Sequence, residues 1–196
     1  MPEVSSWLES LESDQVMAGS TSFVRKFLCD PQGVGALAPA TRTLAGSVAR
    51  AAREAHRRAA GHDGVLQMLE LGAGTGALTS EISALNPVLV EKDAAWASLL
   101  RLRFPGLEVR QECALETLAS LSAPCGVVSS IPLWNNPQSG QLKQLLQSKY
   151  AEGLLLFCVL YTYGWTNPLR KGVFRHAHRA SFVPRSLPPA CVWIYQ

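Results

Sequence analysis

Glu70, Gly72, Gly74 and Gly76 fall in the run Leu69-Glu70-Leu71-Gly72-Ala73-Gly74-Thr75-Gly76, between an apolar stretch and an amphipathic one. Glycine at three alternate positions permits positive φ angles and a close approach by something bulky. Where a helix follows such a turn, its free N–H groups and positive end also face the incoming group. The triplet alone is unspecific, because the same spacing serves dinucleotide enzymes and ordinary tight turns. A second carboxylate narrows it. Glu91 ends the next apolar run, where its two oxygens can accept hydrogen bonds from both hydroxyls of a ribose diol. That pairing suits either a nicotinamide dinucleotide or S-adenosylmethionine.

The elements that must position these residues alternate along the chain. Val65–Leu71 reads as an apolar strand, Ala77–Leu85 as a helix stopped by Asn86-Pro87, and Val88–Val90 as a second strand. A helix over Ala94–Arg103, a strand at Leu107–Gln111, a short helix over Ala114–Leu121 and a strand at Gly126–Ile131 follow. Gly140–Tyr150 is helical in pattern, and Gly153–Tyr161 is apolar enough for a central buried strand. Ala180–Val183 and Ala190–Tyr195 have no room for a helix between them, so they should pair antiparallel. The expected fold is α/β: a Rossmann-like, seven-stranded, mostly parallel sheet with one antiparallel strand, preceded by an N-terminal helical segment. The antiparallel ending and the acid before the glycines favour S-adenosylmethionine over the dinucleotide.

Composition sets outer limits. A chain of 196 residues, 47% apolar, can bury one substantial core, with an N-terminal helical segment over 1–60 and a cofactor-binding core over 61–196. No apolar run reaches the roughly 18 residues that span a bilayer, and Met1-Pro2-Glu3 lacks the basic start of a signal peptide, so a cytoplasmic location is expected. The five cysteines form no CxxC pair and read as reduced thiols, mostly in the core, with no metal site implied. The net charge of +3 is unevenly spread: residues 153–196 hold five bases and no acid, and Arg50, Arg53, Arg57 and Arg58 form another block on a helix. Such blocks are either solvated faces or contacts for a phosphate-bearing partner.

With Glu70 to Gly76 and Glu91 in place, the sequence resembles the class I S-adenosylmethionine-dependent methyltransferases. The resemblance implies that Glu70, Gly72, Ala73, Gly74 and Gly76 line the methionine part of the cofactor and that Glu91, with Lys92 beside it, grips the ribose. It puts Glu112-Cys113 at the adenine, and Ser130 and Ile131 at the cofactor from the end of the fourth strand.

Four further stretches resemble the bacterial soluble phospholipid N-methyltransferases. They are Phe23–Leu28 with Pro31–Arg42, Ser130-Ile131-Pro132-Leu133-Trp134-Asn135-Asn136-Pro137, Tyr161-Thr162-Tyr163-Gly164, and Leu187-Pro188-Pro189-Ala190. The family implies methylation of the headgroup amine of phosphatidylethanolamine, towards phosphatidylcholine, without a metal. Asn135, Tyr161 and Tyr163 become the candidates for orienting the amine, and Trp134 a candidate face for a methylated ammonium. Phe23, Arg25, Lys26 and Phe27 suit an interfacial helix on an anionic phospholipid surface, with Pro39, Thr41 and Arg42 at the substrate entrance. The protein would then be peripheral at the inner face of the membrane.

The alternatives are an enzyme like the rRNA adenine N6-dimethyltransferases, a methyltransferase for another amine lipid such as ornithine lipid, and a non-catalytic cofactor- or lipid-binding module. The first is disfavoured because Ser130-Ile131-Pro132-Leu133 stands where that class has Asn-(Leu/Ile)-Pro-(Tyr/Phe), and leucine cannot stack on a base. No nucleic-acid partner is therefore expected.

Overall fold

The computed structural model describes residues 42–60, 66–133, 136–169, 172–186 and 188–196. Helix α1 (Arg42–Ala60) forms because Leu44, Val48, Ala52 and Ala55 recur on one face while Arg50, Arg53 and Arg57 take the other. The elements after it are β1 (Met68–Leu71), α2 (Thr79–Ile82) with a 3₁₀ turn over Ser83–Leu85, β2 (Val88–Val90), α3 (Ala94–Arg103), β3 (Val109–Arg110) and α4 (Ala114–Ala119). β4 (Cys125–Ser129), α5 (Ser139–Ala151), β5 (Leu155–Tyr163), β6 (Ala177–Val183) and β7 (Ala190–Tyr195) complete the order. The seven strands lie in the order β3-β2-β1-β4-β5-β7-β6. Neighbours from β3 to β5 are parallel, and β7 runs antiparallel to both β5 and β6, as the alternation and the closing hairpin predict.

Local punctuation explains where the elements begin and stop. Asp93 caps α3 by accepting from the amides of Ala95 and Trp96 at 2.9 and 3.0 Å. Asn86, in the left-handed region at φ 48°, ends the 3₁₀ turn before β2. The helix expected over Ala77–Leu85 is only one α-turn followed by that 3₁₀ turn, since Gly76 and Ala77 are still used by the glycine loop. The expected strand Leu107–Gln111 shortens to Val109–Arg110, because only Leu89 and Val90 of the short β2 are there to pair with it. β5 starts at Leu155 rather than Gly153, which holds φ 76° in the turn after α5, and it runs on to Tyr163 along β7.

Two apolar layers cover the sheet. On one face α1 lays Leu44, Val48 and Ala52 against Phe157, Val159, Val192 and Ile194. On the other, Leu142 and Leu146 of α5 pack with Leu69, Val127, Cys158 and Leu160. Cys125, Cys158 and Cys191 are buried and free, as a reduced core requires. Both layers are driven by the same area-proportional removal of apolar surface from water. The basic block of α1 lies in solvent, with Arg53 donating to the Glu81 carbonyl at 2.8 Å and Arg58 paired to Glu54.

The Phe157 ring of β5 lies over its β4 neighbour Gly126, where a Cβ would overlap it. Gly126→Ala should therefore destabilise the fold by about 1–3 kcal/mol through overpacking. Urea unfolding of Gly126→Ala, alone and with Phe157→Leu, checks this; the second change should recover part of the loss.

Candidate functional site

The turn after β1 holds all three glycines at positive φ: 71° at Gly72, 53° at Gly74 and 76° at Gly76. The close approach expected from one bulky ligand comes largely from the protein itself. A Cβ on Gly72 would lie 2.6 Å from Ile131 Cγ1, and one on Gly76 would collide with the Phe104 ring. At Gly74 the nearest atom would be the Gly72 carbonyl oxygen, 3.9 Å away, so this glycine alone faces open space. Two of the three positions are thus fixed by packing, and at the third the positive φ, not a neighbouring side chain, calls for glycine.

β2 holds that loop in place. The Val90 carbonyl accepts from the amides of Gly72 and Ala73 at 2.8 and 3.3 Å. The next residue, Glu91, accepts from Gly74 N–H at 2.9 Å on one oxygen and from Asp93 N–H at 2.9 Å on the other. It is 8% exposed, and its carboxylate has acceptor capacity beyond these two bonds.

A cavity of about 610 Å³ opens at this point, beyond the carboxyl ends of the central strands. Of the residues expected there, Gly72, Glu91, Lys92, Glu112, Cys113, Ser130 and Ile131 line it. Glu112 accepts from the Thr117 hydroxyl at 3.0 Å. Glu70, Ala73, Gly74 and Gly76 lie outside the lining. Leu115 and Leu142 are lining residues that sequence reasoning missed, since neither belongs to a motif, and Asn136 lines the cavity from within the Ser130–Pro137 stretch, where Asn135 is the sequence candidate. Two carboxylates flank an apolar slot made by Val90, Leu115, Ile131 and Leu142. Acceptors for a diol, a slot for a flat base and negative charge for a cation make a donor set that fits S-adenosylmethionine.

Glu70 sits beneath the loop, fully buried. The Thr79 hydroxyl donates to its Oε2 at 2.8 Å, and its Oε1 has no hydrogen-bond partner among the described residues. Burial, with the Glu91 charge adding to it, pushes its carboxyl up to about 8, so the group is neutral at pH 7.

A second cavity, of about 320 Å³, adjoins the first and shares Pro132 with it. Leu133, Lys143, Tyr161, Thr162 and Tyr163 are among its walls. The Tyr161 hydroxyl donates to the Ser130 carbonyl at 3.3 Å, and the Tyr161 and Tyr163 rings meet edge-on, 5.7 Å apart. Burial raises the pKa of both phenols, so they act here as neutral hydroxyls. Two of the three acceptor candidates are thus together. The third, Asn135, lies outside the described residues, as do Trp134, Phe23, Arg25, Lys26, Phe27, Pro39 and Thr41; Arg42 is exposed at the start of α1.

No family model matches the chain, and no curated protein does. Solved structures do. The Escherichia coli protein YhhF, assigned as a methyltransferase, superposes with a TM-score of 0.53 at 17% identity over 75% of this chain and 84% of its own. The 23S rRNA methyltransferase ErmE gives 0.55 at 18% identity over 76% of this chain and 66% of ErmE. The bifunctional kinase-methyltransferase WbdD gives 0.58 at 15% identity over 77% of this chain and 38% of WbdD. This chain therefore spans just under two thirds of ErmE and well under half of WbdD. At these identities the likeness establishes the fold, which is the Rossmann-like fold of class I methyltransferases.

Two predictions arise from the loop. Glu91→Ala should weaken S-adenosylmethionine binding roughly tenfold to hundredfold, the worth of a charge-assisted hydrogen bond. Gly74→Val should do at least as much, because a β-branched residue is strained at positive φ; calorimetry reads both. For Glu70, the folded carboxyl near 8 lies above the ordinary 4.5. The stability that its protonation contributes is complete below pH 4.5 and is lost as pH rises through 8. Relative to Glu70→Gln, the unmodified chain should lose stability across that window by at most roughly 1.4 kcal/mol per pH unit. Urea unfolding from pH 5 to 8 measures it.

Proposed function

We propose that this protein is an S-adenosylmethionine-dependent N-methyltransferase whose acceptor is the headgroup amine of phosphatidylethanolamine and of its methylated intermediates. The observation that carries the reading is the pair of adjoining cavities, one walled by Glu91, Glu112 and Ile131 and the other by Tyr161 and Tyr163, meeting at Pro132. The motif resemblance around Ser130–Pro137 and Tyr161–Gly164 supports it from the sequence side.

Bound S-adenosylmethionine supplies an electrophilic methyl on a sulfonium. The protein's task is to bring a neutral amine lone pair in line with it, which calls for positioning more than for a strong base. An alkylamine, like the lysine side chain with its pKa of about 10.4, is mostly protonated at neutral pH and has to shed a proton first. The apolar walls of the second cavity, Pro132 and Leu133, favour the neutral amine by desolvation. The Tyr161 oxygen, whose proton is engaged by the Ser130 carbonyl, shares a hydrogen bond with the Tyr163 hydroxyl, and the pair offers phenol oxygens to an amine N–H.

The acceptor's tails lie in a bilayer, so the reading includes docking on an anionic phospholipid surface at the inner face of the membrane. No described helix is long and apolar enough to cross a membrane. In addition to Phe23–Phe27, which lies outside the described residues, the described surface offers Trp165, 63% exposed, stacked on Phe182 and facing the Arg179 guanidinium at 5.0 Å. Rings at the headgroup level with cations among them suit that interface.

Two measurements test the reading. Labelled S-adenosylmethionine with mixed lipid vesicles should yield methylated phosphatidylethanolamine; labelled ribosomal RNA with untouched lipid would overturn it. Sedimentation with anionic vesicles should weaken as salt rises, and again in Phe23→Ala/Phe27→Ala and in Trp165→Ala. An equal affinity for neutral vesicles would remove the docking part.

A further inference from the structure

The second cavity presents donors and no carboxylate among its described walls. Its polar side chains include Lys143 from α5, Thr162 from β5 and Asn167 from the loop beyond β5. The acceptor atoms of two of these are already committed inside the protein. Asn167 Oδ1 accepts from the Tyr195 hydroxyl at 2.6 Å and from Leu169 N–H at 3.1 Å, which leaves the NH₂ as the polar end still available. Thr162 Oγ1 accepts from Trp193 Nε1 at 3.1 Å, so its own proton is left to donate. Tyr195 and Trp193 are themselves buried in the sheet, and they hold Thr162 and Asn167 in fixed orientation. Lys143 adds a positive charge and forms no ion pair among the described residues.

An ammonium, a carbonyl-committed amide and a hydroxyl with its oxygen already used form an anion site, whereas an amine alone would find a like charge there. We propose that Lys143, Thr162 and Asn167 bind the phosphoryl oxygens of the methyl acceptor, so that the substrate's phosphodiester is anchored in this cavity. The amine two carbons away is then directed toward Tyr161 and the Pro132 boundary with the cofactor cavity. This rests on the lipid-amine reading for its substrate, but the oxyanion site stands on its own geometry. Recognition is then of a phosphoethanolamine unit, and an amine lipid without phosphate loses its anchor.

Calorimetry on the full chain without cofactor separates the possibilities, using O-phosphoethanolamine, inorganic phosphate and ethanolamine as probes. O-Phosphoethanolamine should bind best and ethanolamine at least roughly tenfold more weakly, the scale of one charge-assisted contact. Lys143→Gln should weaken O-phosphoethanolamine by roughly tenfold to hundredfold, leave S-adenosylmethionine unchanged, bind ethanolamine no more weakly than before, and raise the KM for lipid; Lys143→Arg should restore most of the loss. Inorganic phosphate binding as tightly as O-phosphoethanolamine would overturn the headgroup assignment in favour of free phosphate. Equal binding of ethanolamine and O-phosphoethanolamine, or a Lys143→Gln chain with unaltered phosphate binding, would overturn the site itself. If vesicles are methylated and Lys143→Gln changes nothing, the anchor fails and the function survives. If phosphate binding depends on Lys143 but no lipid is methylated, the anion site stands and the lipid substrate falls.

Discussion

The carboxylate of Glu91 is the constraint on which the site depends. Two turns, one after β1 and one after β2, present amide N–H groups that have no strand or helix to satisfy them. Val90 and Glu91 take four of these, at Gly72, Ala73, Gly74 and Asp93. An unpaired amide buried at this depth would cost roughly 1–3 kcal/mol, so the arrangement fixes both turns together. It also places Asp93 where it can cap α3. Glu70, one strand away, is kept from ionising chiefly by its own burial, with the Glu91 charge adding to it, so the floor of the loop stays neutral while the rim carries the carboxylates.

How much of this is legible in the sequence depends on whether a residue's role is local. β2, α3 and β7 begin and end at the residues that pattern and punctuation predict, because Asn86-Pro87, Asp93 and Pro188-Pro189 mark them within a few positions of the chain. Pattern puts the start of β6 at Ala180, whereas the strand begins at Ala177. Most of its side chains are exposed, so it carries little apolar alternation, and its extent is set by pairing with β7 through an irregularity between Arg179 and Ser181. That irregularity also lets Arg179 and Phe182, three residues apart, both come to the ring of Trp165.

The cavities divide in the same way. Glu91, Glu112 and Ser130 can be placed from sequence because the ends of parallel strands gather at one edge of the sheet, a consequence of topology alone. Lys143, Thr162 and Asn167 cannot be grouped from sequence, since they sit on a helix, at the end of an apolar strand and in a loop, and only Thr162 falls in a motif. Side chains of β7 hold two of them, Trp193 bonding Thr162 and Tyr195 bonding Asn167, and Lys143 arrives from α5, which packs on the same layer. The glycines show the opposite error. Their spacing is legible, but Gly72 and Gly76 answer to Ile131 and Phe104, contacts 59 and 28 positions along the chain.

The wall between the two cavities is held unusually firmly for a segment between a strand and a helix. Ser130 N–H donates to the Leu71 carbonyl, Ile131 N–H to the Ser129 hydroxyl, the Tyr161 hydroxyl to the Ser130 carbonyl, and Asn136 Nδ2 to the Pro132 carbonyl. Strands β1 and β5, on either side of β4, thus grip the same few residues, and Ile131 closes the contact by filling the space above Gly72. For a displacement that needs collinear atoms and little acid–base help, such a wall matters more than any single titrating group. It fixes the distance between whatever lies against Glu91 and whatever lies against Tyr161, and it does so with hydrogen bonds that exist before either partner arrives. The neutral phenols fit that division of labour, because a site that acts by position has no need of a side chain that changes charge near pH 7.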